Sequence, residues 1–267
     1  MKKALKYIKS LLKVLIWPII FMIGQFIIQY IFVAIFNSKE QVAMSNNEFL
    51  EYINTLEYQD KLNNYINSKT LLIIIITMLI FIPILYRVFK KYKKENNFKI
   101  KNIFVPILLG ITISLVYNII LFYLNNIFNF TNIFEISELS ILVQLISSGI
   151  CGPILEELLF RGIVYNKLKE FNKPKAATVL CSLIFGIMHT NIINGIYAFI
   201  VSFILIYLYE KYKTLKAPMI MHISLNSTII LMLSLITKNY LIFNLYLLIV
   251  SILILLVLKF YLKNVYK

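Results

Sequence analysis

The sequence predicts an all-α integral membrane protein: a polytopic transmembrane helix bundle of about eight spans, with both termini cytoplasmic. Three observations carry that expectation. The composition is 60% hydrophobic and 15% charged, with a mean hydropathy of +0.81. That is more apolar surface than a soluble domain of 267 residues can bury. Apolar runs of bilayer length, about 17–25 residues as helix, recur along the whole chain. Basic residues crowd alternate connections between these runs, as the positive-inside rule requires.

The expected spans lie near 12–36, 70–86, 103–124, 142–165, 176–191, 193–209, 218–236 and 240–258, the second and fifth being short. The first has the basic start and apolar stretch of a cleaved signal peptide. It is too long for one and no small-x-small cleavage site follows, so it reads as a signal anchor. The extracytoplasmic loop 37–69 is the one sizeable polar stretch and carries Glu40, Glu48, Glu51, Glu57 and Asp60. Within it Phe49, Ile53, Leu56, Leu62, Tyr65 and Ile66 recur at roughly helical spacing, which predicts a short amphipathic helix on the outer surface. With no internal repeat or low-complexity linker, 1–267 reads as a single integral membrane domain.

The charge pattern sets orientation and partner. The chain has 27 Lys and Arg against 12 Asp and Glu, a net charge of +15. Arg161 falls inside a span. Of the others, 22 lie at the amino terminus (Lys2 to Lys13), between Arg87 and Lys101, between Lys167 and Lys175, between Lys211 and Lys216, and from Lys259 to Lys267. The opposite face holds 4, Lys39, Lys61, Lys69 and Lys238. A basic inner face meets anionic lipid, which accounts for the high pI without nucleic acid as a partner.

The chemistry-bearing residues sit where charge is costly. Glu156, Glu157 and Arg161 fall in the fourth span, where each ionised side chain costs roughly 2.5–3.5 kcal/mol near a helix centre. Glu157 and Arg161 are four apart and can pair along one helix face. Glu156 is rotated by about 100° from its neighbour and stays free for another partner. Gly149, Gly152 and Pro153 just ahead loosen the helix and admit a neighbour or water. Both histidines of the chain, His189 and His222, also lie in apolar spans. Asn226 shares a helix face with His222, and Phe185 stands one turn before His189. A buried charge cluster that only locks helix packing is the structural alternative. Cys151 and Cys181 are not in a CxxC arrangement and read as small apolar fillers. A free carboxylate beside a neutral imidazole can serve as general base, and a His/Asn pair can donate to a developing oxyanion. The chemistry implied is hydrolysis of a carbonyl compound by an activated water.

In order along the chain, Glu156-Glu157-x-x-x-Arg161, Phe185-x-x-x-His189 and His222-x-x-x-Asn226 resemble the motifs of the CPBP intramembrane proteases. That family includes the eukaryotic CAAX prenyl endopeptidase and bacterial Abi-type proteins linked to bacteriocin processing or self-immunity. The resemblance implies a catalytic core at 142–228. Glu156 and His189 would activate the water, His222 and Asn226 would form the oxyanion hole, and Glu157, Arg161 and Phe185 would support them. It also implies a glutamate-dependent endopeptidase with no cofactor, acting on a membrane-associated peptide or protein substrate. Zinc is the alternative, since two His and a Glu are plausible ligands, although no HExxH motif is present. A non-catalytic bacteriocin-immunity or scaffold protein of the same fold is the alternative function. A composition dominated by Lys, Ile and Asn suits an AT-rich bacterium. The expected location is therefore the bacterial cytoplasmic membrane, and the expected substrate a leader peptide, pheromone precursor or bacteriocin.

One expectation conflicts with a flat layout. Counted inward at about 1.5 Å per residue, Glu156 and His222 lie roughly 10 Å deep, but His189 lies near 20 Å. The fifth helix must begin well before the lipid or tilt strongly.

Overall fold

A computed structural model describes residues 2–93, 95–128, 139–189, 191–236 and 240–265. Lys94, Lys238 and Lys267, counted above, lie outside the described residues. The described residues form helices and no strand. The principal helices are α1 (Lys2–Glu40), α2 (Asn46–Tyr52), α3 (Leu56–Phe89), α4 (Phe104–Phe128), α5 (Ile141–Lys169), α6 (Pro174–Ile187), α7 (Ile192–Tyr212), α8 (Lys216–Ile236) and α9 (Tyr240–Val265).

Six of these, α1, α3, α4, α5, α7 and α8, are long and apolar enough to cross a membrane, and the chain is a multi-pass membrane protein. Two apolar helical stretches are shorter, α6 and Leu245–Val257 within α9. The fifth expected span, 176–191, is where sequence and structure differ most. Helix α6 has 14 residues, about 21 Å of rise, and stops at Ile187, so His189 lies beyond its end. The second expected span, 70–86, is only the C-terminal part of a 34-residue helix.

That longer helix also changes the polar stretch 37–69. Ser45 opens α2 with a capping box: its hydroxyl accepts from the Glu48 N–H, and its own N–H donates to the Glu48 carboxylate at 2.8 Å. The hydrogen bond from that N–H holds the Glu48 carboxyl below its ordinary range. Thr55 caps α3, accepting from the Tyr58 N–H. The apolar positions expected on one amphipathic helix are therefore divided between two helices. Tyr58 donates to Asn37 at 2.6 Å and Tyr52 to Glu40 at 3.1 Å, folding the segment onto the end of α1.

Helix α5 is the axis of the bundle. Leu155, Leu158, Leu159, Phe160, Ile163, Val164, Tyr165 and Leu168 are all buried, so no face of its C-terminal half is left for lipid. Helices α1, α3, α6, α7 and α8 pack around it. Elsewhere α4 lies along α8 at very short range. A Cβ on Gly110 would stand 2.4 Å from the Met221 carbonyl oxygen, so only glycine permits that approach. The crossing of α6 and α7 is similar, since a Cβ on Gly186 would meet the Gly195 carbonyl oxygen at 2.7 Å.

Candidate active site

Helix α5 is wound unevenly around the paired glutamates. Leu145–Cys151 and Phe160–Tyr165 are π-helical and flank the α-helical turns Gly152–Leu159. Pro153 lacks an N–H and cannot continue the regular ladder behind it. The widened turn is the way a helix absorbs such a break, and π segments recur at functional sites.

Side chains take up carbonyls around the second π segment. The Asn166 amide donates to the carbonyls of Arg161 (2.9 Å) and Gly162 (3.1 Å) and also contacts the Tyr209 hydroxyl at 2.8 Å. Cys181, expected to be a plain apolar filler, directs its thiol to the Phe160 carbonyl at 3.6 Å. Buried carbonyls need such partners, and these fix the backbone that carries Arg161.

The expected i,i+4 pair forms in full burial. Arg161 Nη1 lies 2.9 Å from Glu157 Oε1, and both side chains are 0% exposed. Arg161 Nη2 donates to the Ser202 hydroxyl on α7 at 2.9 Å. The guanidinium lies 4.4 Å from the centre of the Phe185 ring on α6, a cation–π contact. Glu157 has a second partner: the same Oε1 lies 2.8 Å from His222 Nδ1 on α8. A carboxylate accepts, so Nδ1 carries the hydrogen and Nε2 is directed elsewhere. That nitrogen stands 3.7 Å from Glu156 Oε2. The Glu156 side chain keeps 31% exposure, enough to meet water.

His189 follows the end of α6. Its backbone N–H closes on the Gly186 carbonyl at 3.1 Å, and its Nδ1 reaches the Phe185 carbonyl at 2.8 Å. A carbonyl cannot donate, so Nδ1 bears the hydrogen and Nε2 is directed elsewhere. Both imidazoles flank one ring: Phe185 meets His189 edge-on at 4.9 Å and His222 at 6.0 Å between centroids. The break after Ile187 thus brings His189 to the ring that also borders His222. His189 further lines a pocket of about 410 Å³ between α6 and α7, with Leu183, Ile187, Ile192, Ile196 and Phe199 on its apolar wall. Asn226, one turn beyond His222, donates to the Ser148 carbonyl in the first π segment at 3.0 Å.

Sequence reasoning missed Ser202, Asn166 and the second role of Glu157. Asn166 was within reach of inspection, because it follows Arg161 by about one turn. Ser202 lies 41 residues from Arg161 in an apolar helix, and nothing local marks it. Among the described residues no group of three His, Cys, Asp or Glu is arranged to hold a metal ion.

The family model described as type II CAAX prenyl endopeptidase Rce1-like matches residues 138–228. The similarity to that family is confined to residues 138–228. Glu156, Glu157, Arg161, Phe185, His189, His222 and Asn226 make up the three motifs, and Ser148, Asn166, Cys181, Ser202 and Tyr209 also fall inside the segment. Three curated proteins are similar over much the same length. "Putative membrane peptidase YdiL" of Bacillus subtilis (strain 168) is 31% identical over 102 residues, which is 38% of this chain and 42% of that protein. "UPF0177 protein YaiH" of Lactococcus lactis subsp. lactis (strain IL1403) is 33% identical over 102 residues, 37% of this chain and 42% of that protein. "UPF0177 protein YxdF" of the same strain is 30% identical over 92 residues, 34% of this chain and 50% of that protein. The match therefore spans half or less of each relative's length. No solved structure matches the chain.

Proposed function

We propose that the chain is an intramembrane endopeptidase of CAAX-protease type that hydrolyses a membrane-associated peptide with a water activated by Glu156 and His189. The observation that carries this reading is the pairing of two unlike carboxylates with one imidazole. Glu157 is sealed from solvent and anchors His222 Nδ1, while Glu156 is partly exposed 3.7 Å from His222 Nε2. One carboxylate orients, and the other is left for chemistry.

In the proposed reaction the Glu156 carboxylate takes a proton from a water whose oxygen attacks the scissile carbonyl carbon. His189 Nε2, with Nδ1 occupied by the Phe185 carbonyl, accepts from the same water. The negative charge that develops on the carbonyl oxygen is met by His222 and the Asn226 amide. For His222 to donate from Nε2 it must carry both hydrogens, as the imidazolium. Collapse of the tetrahedral intermediate breaks the C–N bond, and the proton held by Glu156 passes to the leaving amine.

Apolar residues of the substrate would lie in the pocket beside His189. The enzyme would act in a bacterial cytoplasmic membrane with both termini inside, on a leader peptide, a pheromone precursor or a bacteriocin. The similar protein YdiL bears the name "Putative membrane peptidase", which supports this reaction class. No step is routed through a metal.

The test is cleavage of membrane-anchored leader peptides by proteoliposomes holding wild-type or Glu156→Gln protein. Loss of cleavage in the variant supports the enzyme. Specific peptide binding that is equal in both, with no cleavage by either, supports instead a non-catalytic immunity or scaffold protein of the same fold.

A further inference from the structure

Arginine and carboxylate prefer a two-point fork, with two parallel N–H···O bonds. The Arg161–Glu157 pair does not adopt it. Glu157 Oε1 receives Arg161 Nη1 and also lies against His222 Nδ1, while Glu157 Oε2 and Arg161 Nε are both buried without a partner. Two complementary groups four residues apart are each left unsatisfied, at a desolvation cost. Something must hold the guanidinium away from the fork.

The restraint within the guanidinium plane comes from outside α5. Ser202, 0% exposed on α7, takes Arg161 Nη2 at 2.9 Å. Phe185 holds the face of the cation but leaves it free to turn in its own plane. We propose that Ser202 is a positioning residue: its hydroxyl keeps Arg161 on one carboxylate oxygen only and so leaves Glu157 oriented to dock His222. Once released, Arg161 Nη2 swings toward Glu157 Oε2 to join Nη1, the fork closes, and the carboxylate turns away from the imidazole. This rests on the proposed function for its effect on rate, but not for its effect on His222.

The test compares Ser202→Ala and Ser202→Thr with the wild type in detergent or nanodiscs. With only two histidines in the chain, ring signals in a 15N-histidine NMR spectrum are assigned by comparison with His189→Gln. In the wild type the His222 Nδ1–H proton is slow to exchange with solvent. In Ser202→Ala that protection is lost, the melting temperature is kept or rises because the fork forms, and kcat falls about 10- to 100-fold, as small misplacements of a reacting group do, with KM unchanged. Ser202→Thr retains the hydroxyl and restores the protected signal and the rate. Persistence of the protected signal in Ser202→Ala overturns the proposal, as does a fall in rate that merely follows a fall in melting temperature. If threonine does not fit, the alanine spectrum decides alone. Should the wild type cleave nothing, the NMR comparison still tests Ser202, while Glu156→Gln tests the enzyme reading separately.

Discussion

His222 Nδ1 and Glu157 Oε1 stand 2.8 Å apart across the contact between α8 and α5. The glutamate that pairs with Arg161 therefore also fixes the ring orientation of a histidine 65 residues away in sequence. Structure and chemistry meet in this carboxylate, so removing it is expected to damage both.

Glu157→Gln is expected to lower stability first. It leaves Arg161 as a buried cation, and breaking a buried pair costs about 3–5 kcal/mol. The melting temperature in detergent should fall, and Arg161→Met added to Glu157→Gln should recover part of the loss, because coupled neighbours are not additive. Neither variant should regain full activity, since His222 has lost its anchor. A double mutant no more stable than the single would show that the pair contributes little.

Gly110→Ala is expected to disturb the site from a distance. The added Cβ meets the Met221 carbonyl oxygen at 2.4 Å and the Leu225 N at 2.9 Å, and backbone atoms cannot yield as a side-chain tip does. Overpacking of this kind costs about 1–3 kcal/mol, and α8, which carries His222 and Asn226, must move. Thermal melts and cleavage rates should both decline, whereas alanine at Ile120, exposed on α4, should leave both near wild type.

Much of the bundle was legible because bilayer thickness ties span length to apolar run length, and because Glu157 and Arg161 sit at a spacing that one helix brings together. The limits were physical as well. Polar sequence between 56 and 69 continues α3 because Thr55 caps it and local pairs such as Lys61–Glu57, 2.8 Å apart, suit a helix, although hydropathy sees only a loop. The end of α6 was hidden because no Pro or Gly marks a stop between 187 and 191, so the expected span ran on to 191. That same break carries His189 out of the regular depth count. The contacts of Glu157 with His222 and of Arg161 with Ser202 join different helices, and no periodicity within one helix encodes them.

Metal removal is expected to leave the reaction intact. The His189 and His222 Nδ1 atoms are engaged with the Phe185 carbonyl and Glu157, and Glu156 is proposed to act on water directly. Prolonged chelation should leave the cleavage rate unchanged, and elemental analysis should find substoichiometric zinc. Activity abolished by chelation and restored by zinc would instead make the histidines ligands and give the metal the task of lowering the water's pKa.

The most direct measurement is the single-turnover cleavage rate of a membrane-anchored, fluorescence-quenched leader peptide by Glu156→Gln in proteoliposomes, taken with its melting temperature. Glutamine preserves size and hydrogen bonding but cannot accept the water's proton. The expected result is a rate lowered about 10²- to 10⁴-fold, the usual contribution of a general base, with stability changed by no more than about 0.5 kcal/mol, as suits a partly exposed side chain. Cleavage by Glu156→Gln at the wild-type rate, above all if Glu157→Gln is stable yet inactive, would contradict the division of labour between the two carboxylates.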